Sequence, residues 1–305
     1  MNSQDFYNNI EVSGFVEWLS IELEDLTFSL SIGKSAKAPY GVNAKVTGIN
    51  EVIKKYQWKA SWLDDSTGNA ITSCGWDTTA KSLNLLSEKL KLSLMSNDAE
   101  TAFKACANVF AWGGERNPQT GARKFLANKL NNGQLIDYLK ATQTTFKLES
   151  ADLANLKSVE LVNSMLTKVY ALQSEDGLPI YDTRVAVAIA GLIEIYRLKT
   201  NQSWTEVPHL LAFPVPPEDA KSQRRRVKYL NPNALAPKPE MLSYLGKNTP
   251  MQWASAKIRL GWIITEVLKR NPKLLSNQAH SRQHAFEAAL FMIGYDVRSL
   301  SANLT

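Results

Sequence analysis

The chain has 305 residues, 44% hydrophobic and 21% charged, which excludes wholesale disorder and is ample for one large or two small hydrophobic cores. Two cysteines, Cys74 and Cys106, are too few for a disulfide scaffold and fit a reducing compartment, and three histidines argue against a Cys/His zinc site. The net charge of +6 is unevenly spread: residues 1–30 hold six acids and no Lys or Arg, so residues 31–305 carry +12, the pattern of a polyanion-binding body with an acidic flank.

The first third reads partly as β-structure. Leu26, Phe28, Leu30 and Ile32 alternate with polar residues and stop at Gly33. Tyr56, Trp58, Ala60 and Trp62 alternate next, the turn-rich DDSTGN follows, and Ile71–Cys74 reads as the returning strand. From residue 77 the pattern turns helical, with Asp77 or Thr78 as N-cap ahead of Leu83, Leu86, Leu90 and Leu94. A second helix starts at Asn97 or Asp98 and stops at Gly113-Gly114. Helices follow at about 120–131, 133–141, 152–172 and 181–199, the third of them either one helix or a tight pair. Residues 201–250 carry little periodicity, and seven of the twelve prolines lie between Pro208 and Pro239, a Pro-rich excursion of the kind that is usually functional or disordered. Helices at about 250–270 and 276–300 close the chain, separated by Asn271-Pro272. The expected fold is therefore α+β and predominantly α-helical, with a small β-rich N-terminal region over residues 1–76 and a helical domain over 77–305.

The longest apolar run, Val185 to Ile193, has nine residues where a bilayer needs about 20, and the N-terminus lacks the basic and apolar regions of a signal peptide. A cytoplasmic protein without membrane contact is expected.

Three segments are rich in cations and poor in acids. Residues 221–228 (KSQRRRVK) include Arg224, Arg225, Arg226 and Lys228; residues 116–129 include Arg116, Arg123, Lys124 and Lys129; residues 257–273 hold five cations against Glu266. Phosphate contacts need such unneutralised cations, because binding releases counterions from the nucleic acid. A solvated surface accounts for the same clusters equally simply. His280 and His284 stand i, i+4 on a helix, but no third ligand is evident, so no metal is expected.

Phosphate-loop, nucleophile-elbow and zincin motifs are absent. The informative stretch is LPIYDTRV at residues 178–185, in which a Pro, an apolar segment and Asp-Thr-Arg-Val open a helix directly after a loop. It resembles the helix-hairpin-helix DNA glycosylase superfamily, whose catalytic aspartate stands in a similar context at the start of a helix. The mostly helical run from residue 77 is also similar to that fold. The resemblance implies double-stranded DNA as partner, a flipped modified base as substrate, Asp182 as the catalytic carboxylate and Arg184 on the DNA side. Asp182 also has a purely local reading, as the N-cap of an apolar helix.

Two departures accompany the resemblance. The Gly-rich hairpin that grips phosphate in the family is replaced by LKSVELV at residues 156–162, which has no glycine. The Schiff-base lysine of bifunctional members has only Lys168 as counterpart, 14 residues before Asp182 and beyond a Ser174–Pro179 break. Lys168 is thus a weak nucleophile candidate, and a monofunctional enzyme that leaves an abasic site is expected. No cysteine cluster follows, so neither an iron–sulfur cluster nor any other cofactor is expected.

Trp76, Trp112, Tyr181 and Trp253 are candidates to stack on a flipped base, with Trp112-Gly113-Gly114 as the best pocket rim; core packing is the competing role for each. The chain is also similar to divergent bacterial glycosylase-like proteins of antiphage defence, which makes a hypermodified pyrimidine of phage DNA the expected substrate class. The alternative readings are a noncatalytic nucleic-acid-binding protein using the same basic clusters and a helical protein-interaction module.

Overall fold

The N-terminal segment is helical where the sequence reading expected β-structure. The Asn2 side chain accepts from the Asp5 amide and the Asp5 carboxylate from the Asn2 amide, a capping box that starts α1 (Ser3–Asn8). Asn9 caps α2 (Ile10–Glu22) in turn. Phe6, Val12, Phe15, Val16 and Leu19 are buried at helical spacing, while acids such as Glu17 stay outside. The computed structural model describes residues 1–215, 223–235, 249–278 and 281–304.

Strand β1 (Thr27–Ile32) lies where the alternation places it and pairs antiparallel with β2 (Val42–Thr47), in a register from Thr27 opposite Thr47 to Ile32 opposite Val42. After the short α3 (Ile49–Ile53), β3 (Ala60–Asp64) pairs antiparallel with β4 (Asn69–Ser73). The Asp64 carboxylate folds the turn between them by accepting from the Ser66 amide and the Thr67 hydroxyl. The β3 strand begins only at Ala60, so Tyr56 and Trp58 belong to a loop and not to the expected strand. Residues 1–76 thus combine three helices with two separate two-stranded sheets, and this corrects the description of that region as simply β-rich.

The rest is helical, and 54% of the structure is helix. Helix α4 (Trp76–Met95) has Gly75 as its N-cap, two or three residues earlier than the expected caps, and Thr78 turns its hydroxyl back to accept from the Cys74 amide. Helix α5 (Ala99–Gly113) is capped by Asp98 and ends on Gly114 in the left-handed region, as its sequence demands. Helices α6 (Gly121–Asn131) and α7 (Leu135–Thr145) follow. The segment 152–165 forms turns: Asn163 accepts from the Met165 and Leu166 amides, so only α8 (Leu166–Gln173) is helical there.

Helix α9 (Thr183–Lys199) is the centre of the core, buried continuously from Val185 to Tyr196. It is flanked by α2, α12 (Arg282–Ile293), the short α10 (Val227–Leu230) and a 3₁₀ segment, Val297–Asn303. Helix α11 (Thr249–Arg270) packs on α2 and α12. The two ends of the chain share this core: Tyr7 donates to the Trp262 carbonyl, and the Asn303 side chain bridges the amide and carbonyl of Thr27. Of the expected 201–250 excursion, residues 216–222 and 236–248 lie outside the described residues. Among the described residues, no helix is long and apolar enough to cross a membrane.

Candidate active site

The loop before α9 is pinned from three sides. The Ile180 amide donates to Glu287 Oε2 at 2.6 Å, the Tyr181 amide donates to Thr167 Oγ1 at 3.0 Å, and the buried Lys257 amine donates to the carbonyls of Pro179 and Thr167. These contacts fix where Asp182 enters α9. Asp182 Oδ1 accepts from the Arg184 and Val185 amides at 2.9 and 3.1 Å, so the residue is the N-cap that the sequence allows. Among the described residues, Oδ2 accepts no hydrogen bond, and Asp182 lines a cavity. One oxygen therefore caps the helix, the other is left without a hydrogen bond among the described residues, and the carboxylate lies in the positive field of the helix N-terminus.

Lys168 lines the same cavity. Gly177, in the left-handed region, and Asp176, which holds Ser174 and the Leu148 amide, reverse the chain after α8. The Ser174–Pro179 break therefore returns α9 to the lysine and does not separate them, which removes the geometric objection to Lys168. Its side chain is 6% exposed, its stem lies against Gly113, where an added Cβ would stand 2.9 Å from Lys168 Cδ, and its amine donates to the Ser164 carbonyl. Burial lowers the Lys168 pKa; Asp182 and Glu287 oppose that shift, and the charges of Arg184 and Lys37 add to it. The more deeply buried Lys257 is lowered further, by burial first and by the Lys168 charge, against Glu287.

Tyr56, Trp58, Trp112 and Phe291 form the aromatic walls. Trp58 Nε1 donates to the Trp112 carbonyl at 3.1 Å, and its ring lies under the Lys37 ammonium at 4.8 Å. The Arg184 guanidinium stacks outside the wall, 4.0 Å from the Tyr295 ring centre and 4.6 Å from that of Phe291. Among the described residues, three buried polar atoms around the site make no hydrogen bond: Trp112 Nε1, Arg184 Nε and the Tyr295 hydroxyl. Unpaired buried donors are costly and mark a place where a ligand or water completes the network. Glu287 adds an acceptor, since Oε2 is engaged by Ile180 and His284 while Oε1 makes no hydrogen bond among the described residues. The cavity measures about 30 Å³, room for a water molecule or two, so anything larger enters only if the aromatic wall parts.

The structure redistributes the other sequence candidates. Trp112 is at the cavity, with Gly113 and Gly114 allowing the close approach of Lys168 and Lys37. Tyr181 is fully buried, donates to the Pro214 carbonyl and packs on Trp253 and Phe213; it and Trp253 form the core beneath the site and do not line it. Trp76 is buried beside Tyr56 and donates to Gln278, one layer behind the wall. These three side chains are withdrawn from the base pocket because their polar atoms or ring faces are already committed to the core.

Among the cations, Arg116 and Lys124 are exposed, whereas Arg123 is neutralised by Glu115 at 2.7 Å and Lys129 by Glu160 at 2.7 Å. Arg224 is 70% exposed and 4.0 Å from Asp296, and Lys228 is exposed. Arg225 and Arg226 are half-buried, and the charge of Arg225 reaches Tyr295, which places this cluster on the Arg184 side of the site. The 257–273 cluster dissolves as a surface: Lys257 is buried, Arg259 donates to the carbonyls of His209, Leu210 and Ala212 with its pKa lowered to about 10 by burial, and Lys269 and Arg270 share Glu266. His284 lies 3.3 Å from Glu287, His280 and Lys221 lie outside the described residues, and among the described residues no group of three potential metal ligands occurs. Tyr56, Trp58, Lys37, Glu287 and Phe291 were not singled out from the sequence. The chain matches no protein-family model, no curated protein and no solved structure.

Proposed function

We propose that the chain is a DNA glycosylase that extrudes a modified base from duplex DNA into the Lys168–Asp182 cavity and uses Lys168 as the nucleophile. The observation that carries this reading is one aromatic-walled cavity lined by a desolvated amine and by a carboxylate with one oxygen uncommitted. Burial favours the neutral, nucleophilic amine. Its lone pair forms a bond to the sugar C1′ as the bond from C1′ to the base breaks. The bonding pair leaves with the base, which takes the proton that the amine gives up. Asp182 Oδ2 faces the positive charge that develops on the sugar. Opening of the C1′–O4′ bond, with protonation of O4′, then gives an imine that water hydrolyses. This differs from the monofunctional expectation, and what supports the change is that Lys168 and Asp182 line one cavity and that the Asp182 charge acts on Lys168.

The aromatic walls supply stacking for a flipped base, and Glu287 Oε1 supplies an acceptor for an N–H on its edge. The exposed cations Arg116, Lys124, Arg224 and Lys228 supply phosphate contacts. A noncatalytic nucleic-acid-binding protein uses the same cations and is the second reading, but it gives no role to the buried amine beside a free carboxylate oxygen. Mass spectrometry of free bases released from a panel of phage DNAs, led by those with hypermodified pyrimidines, separates the two. Release of one base supports the enzyme; salt-sensitive binding with no release across the panel supports the alternative.

A further inference from the structure

We infer that Tyr40 is the side chain that enters the duplex beside the cavity and fills the gap left by the extruded base. Tyr40 stands on the loop joining β1 to β2, at 75% exposure, and makes no ring contact among the described residues. The loop beneath it is fully tied down. Ser35 and Ala38 exchange hydrogen bonds, Gly41 donates to the Ala38 carbonyl, and Ala38 is buried. Gly41 takes a left-handed conformation in which an added Cβ would meet the Ile32 carbonyl at 2.8 Å.

The same loop is fastened to the cavity wall. Gln57, the neighbour of Trp58, accepts from the Tyr40 amide at 3.3 Å and donates to the Gly41 carbonyl at 2.7 Å. The Lys59 amide donates to the Lys37 carbonyl at 2.7 Å, and Lys37 reaches over Trp58. This hydrogen-bonded backbone holds one aromatic ring in solvent on a loop fastened to the neighbour of the wall residue Trp58.

The surroundings suit a polyanion. Residues 31–60 contain six lysines and a single acid, Glu51, which pairs with Lys54. Lys34, Lys45, Lys55 and Lys59 are exposed. Extruding a base unstacks its neighbours, and an inserted ring restores stacking on both sides of the gap. The inference rests on the base-extrusion reading above, but the contact itself is independent of chemistry.

The test uses a duplex carrying one tetrahydrofuran abasic analogue, the same duplex intact, and the single strand. Wild-type protein should prefer the gapped duplex. Tyr40→Ala should lose about 10-fold or more of that preference, Tyr40→Phe should keep it, and affinity for the single strand should not change. A 2-aminopurine opposite the gap should be quenched by wild type and by Tyr40→Phe, not by Tyr40→Ala. Because Tyr40 is exposed, the melting temperature should be the same for all three. No preference in the wild type, or an equal preference in Tyr40→Ala, overturns the inference. The probe contains no glycosidic bond, so a Tyr40-dependent preference without base release from any DNA would refute the glycosylase reading and leave this one standing.

Discussion

In the proposed reaction Asp182 has two tasks for its two oxygens, the observed cap and the stabilisation of charge on the sugar, and a pair of substitutions separates them. Asp182→Asn keeps an oxygen that accepts from the Arg184 and Val185 amides, so the cap should survive. Asp182→Ala removes the cap, at a cost of about 1 kcal/mol. With an unfolding entropy of about 2.1 cal/mol/K per residue, that loss lowers the melting temperature of a chain this size by roughly 1.5 °C. Both substitutions remove the charge facing the sugar. Loss of one preorganised electrostatic contact to a transition state costs about 100- to 1,000-fold, and both variants should fall by that factor in single-turnover base release. The assay pairs that rate with thermal unfolding and with DNA affinity measured at fixed salt. An Asp182→Asn protein that releases base at the wild-type rate would refute the catalytic role and leave only the cap.

The rate should rise with pH through the Lys168 pKa, since the proposed nucleophile is the neutral amine, and this limb should lie below the 10.5 of a solvated lysine because burial lowers it. Lys37→Met removes a charge that adds to the lowering, so the limb should move to higher pH; a pH–rate profile of both proteins checks this, and an unmoved limb would assign it to another group. Gly113→Ala places a Cβ 2.9 Å from Lys168 Cδ and 3.1 Å from Met165 Sδ, and displacing the amine should slow single-turnover release about 10- to 100-fold, while Gly33→Ala, with nothing within 4 Å, should not. Replacing the exposed Arg224 and Lys228 with Ala should flatten the slope of log affinity against log salt by up to about 2, near 0.9 for each lost phosphate contact, and titrations at several salt concentrations read it directly.

The parts of the fold written in local signals were legible. Alternation at Phe28, Leu30 and Ile32 gave a strand, Asp98 and Gly114 bounded a helix, and Asp182 capped another. The N-terminal helices had signals too, in the Asn2–Asp5 capping box and the spacing of Val12, Phe15, Val16 and Leu19, but an acidic segment without Lys or Arg was read for charge alone. Residues 152–165 misled because Leu156, Val159 and Val162 are buried at helical spacing while Asn163 diverts the backbone into turns. The cavity was half legible. Asp182, Lys168 and Trp112 stood out, whereas Trp58 comes from a loop that mimicked a strand, and Glu287 and Phe291 from the apolar face of a helix more than 100 residues away in sequence. No local pattern brings those segments together; the packing of α12 on α9 and of α8 on α5 does so.

The central claim is that Lys168 forms the covalent bond to the sugar. Borohydride trapping during turnover on a DNA from which the protein releases a base tests it most directly. Wild type should give a covalent protein–DNA adduct that maps to Lys168 by peptide mass spectrometry, and Lys168→Gln should give none. Base release by wild type without any adduct, or an adduct that persists in Lys168→Gln, would contradict the account and assign the attack to water or to another amine.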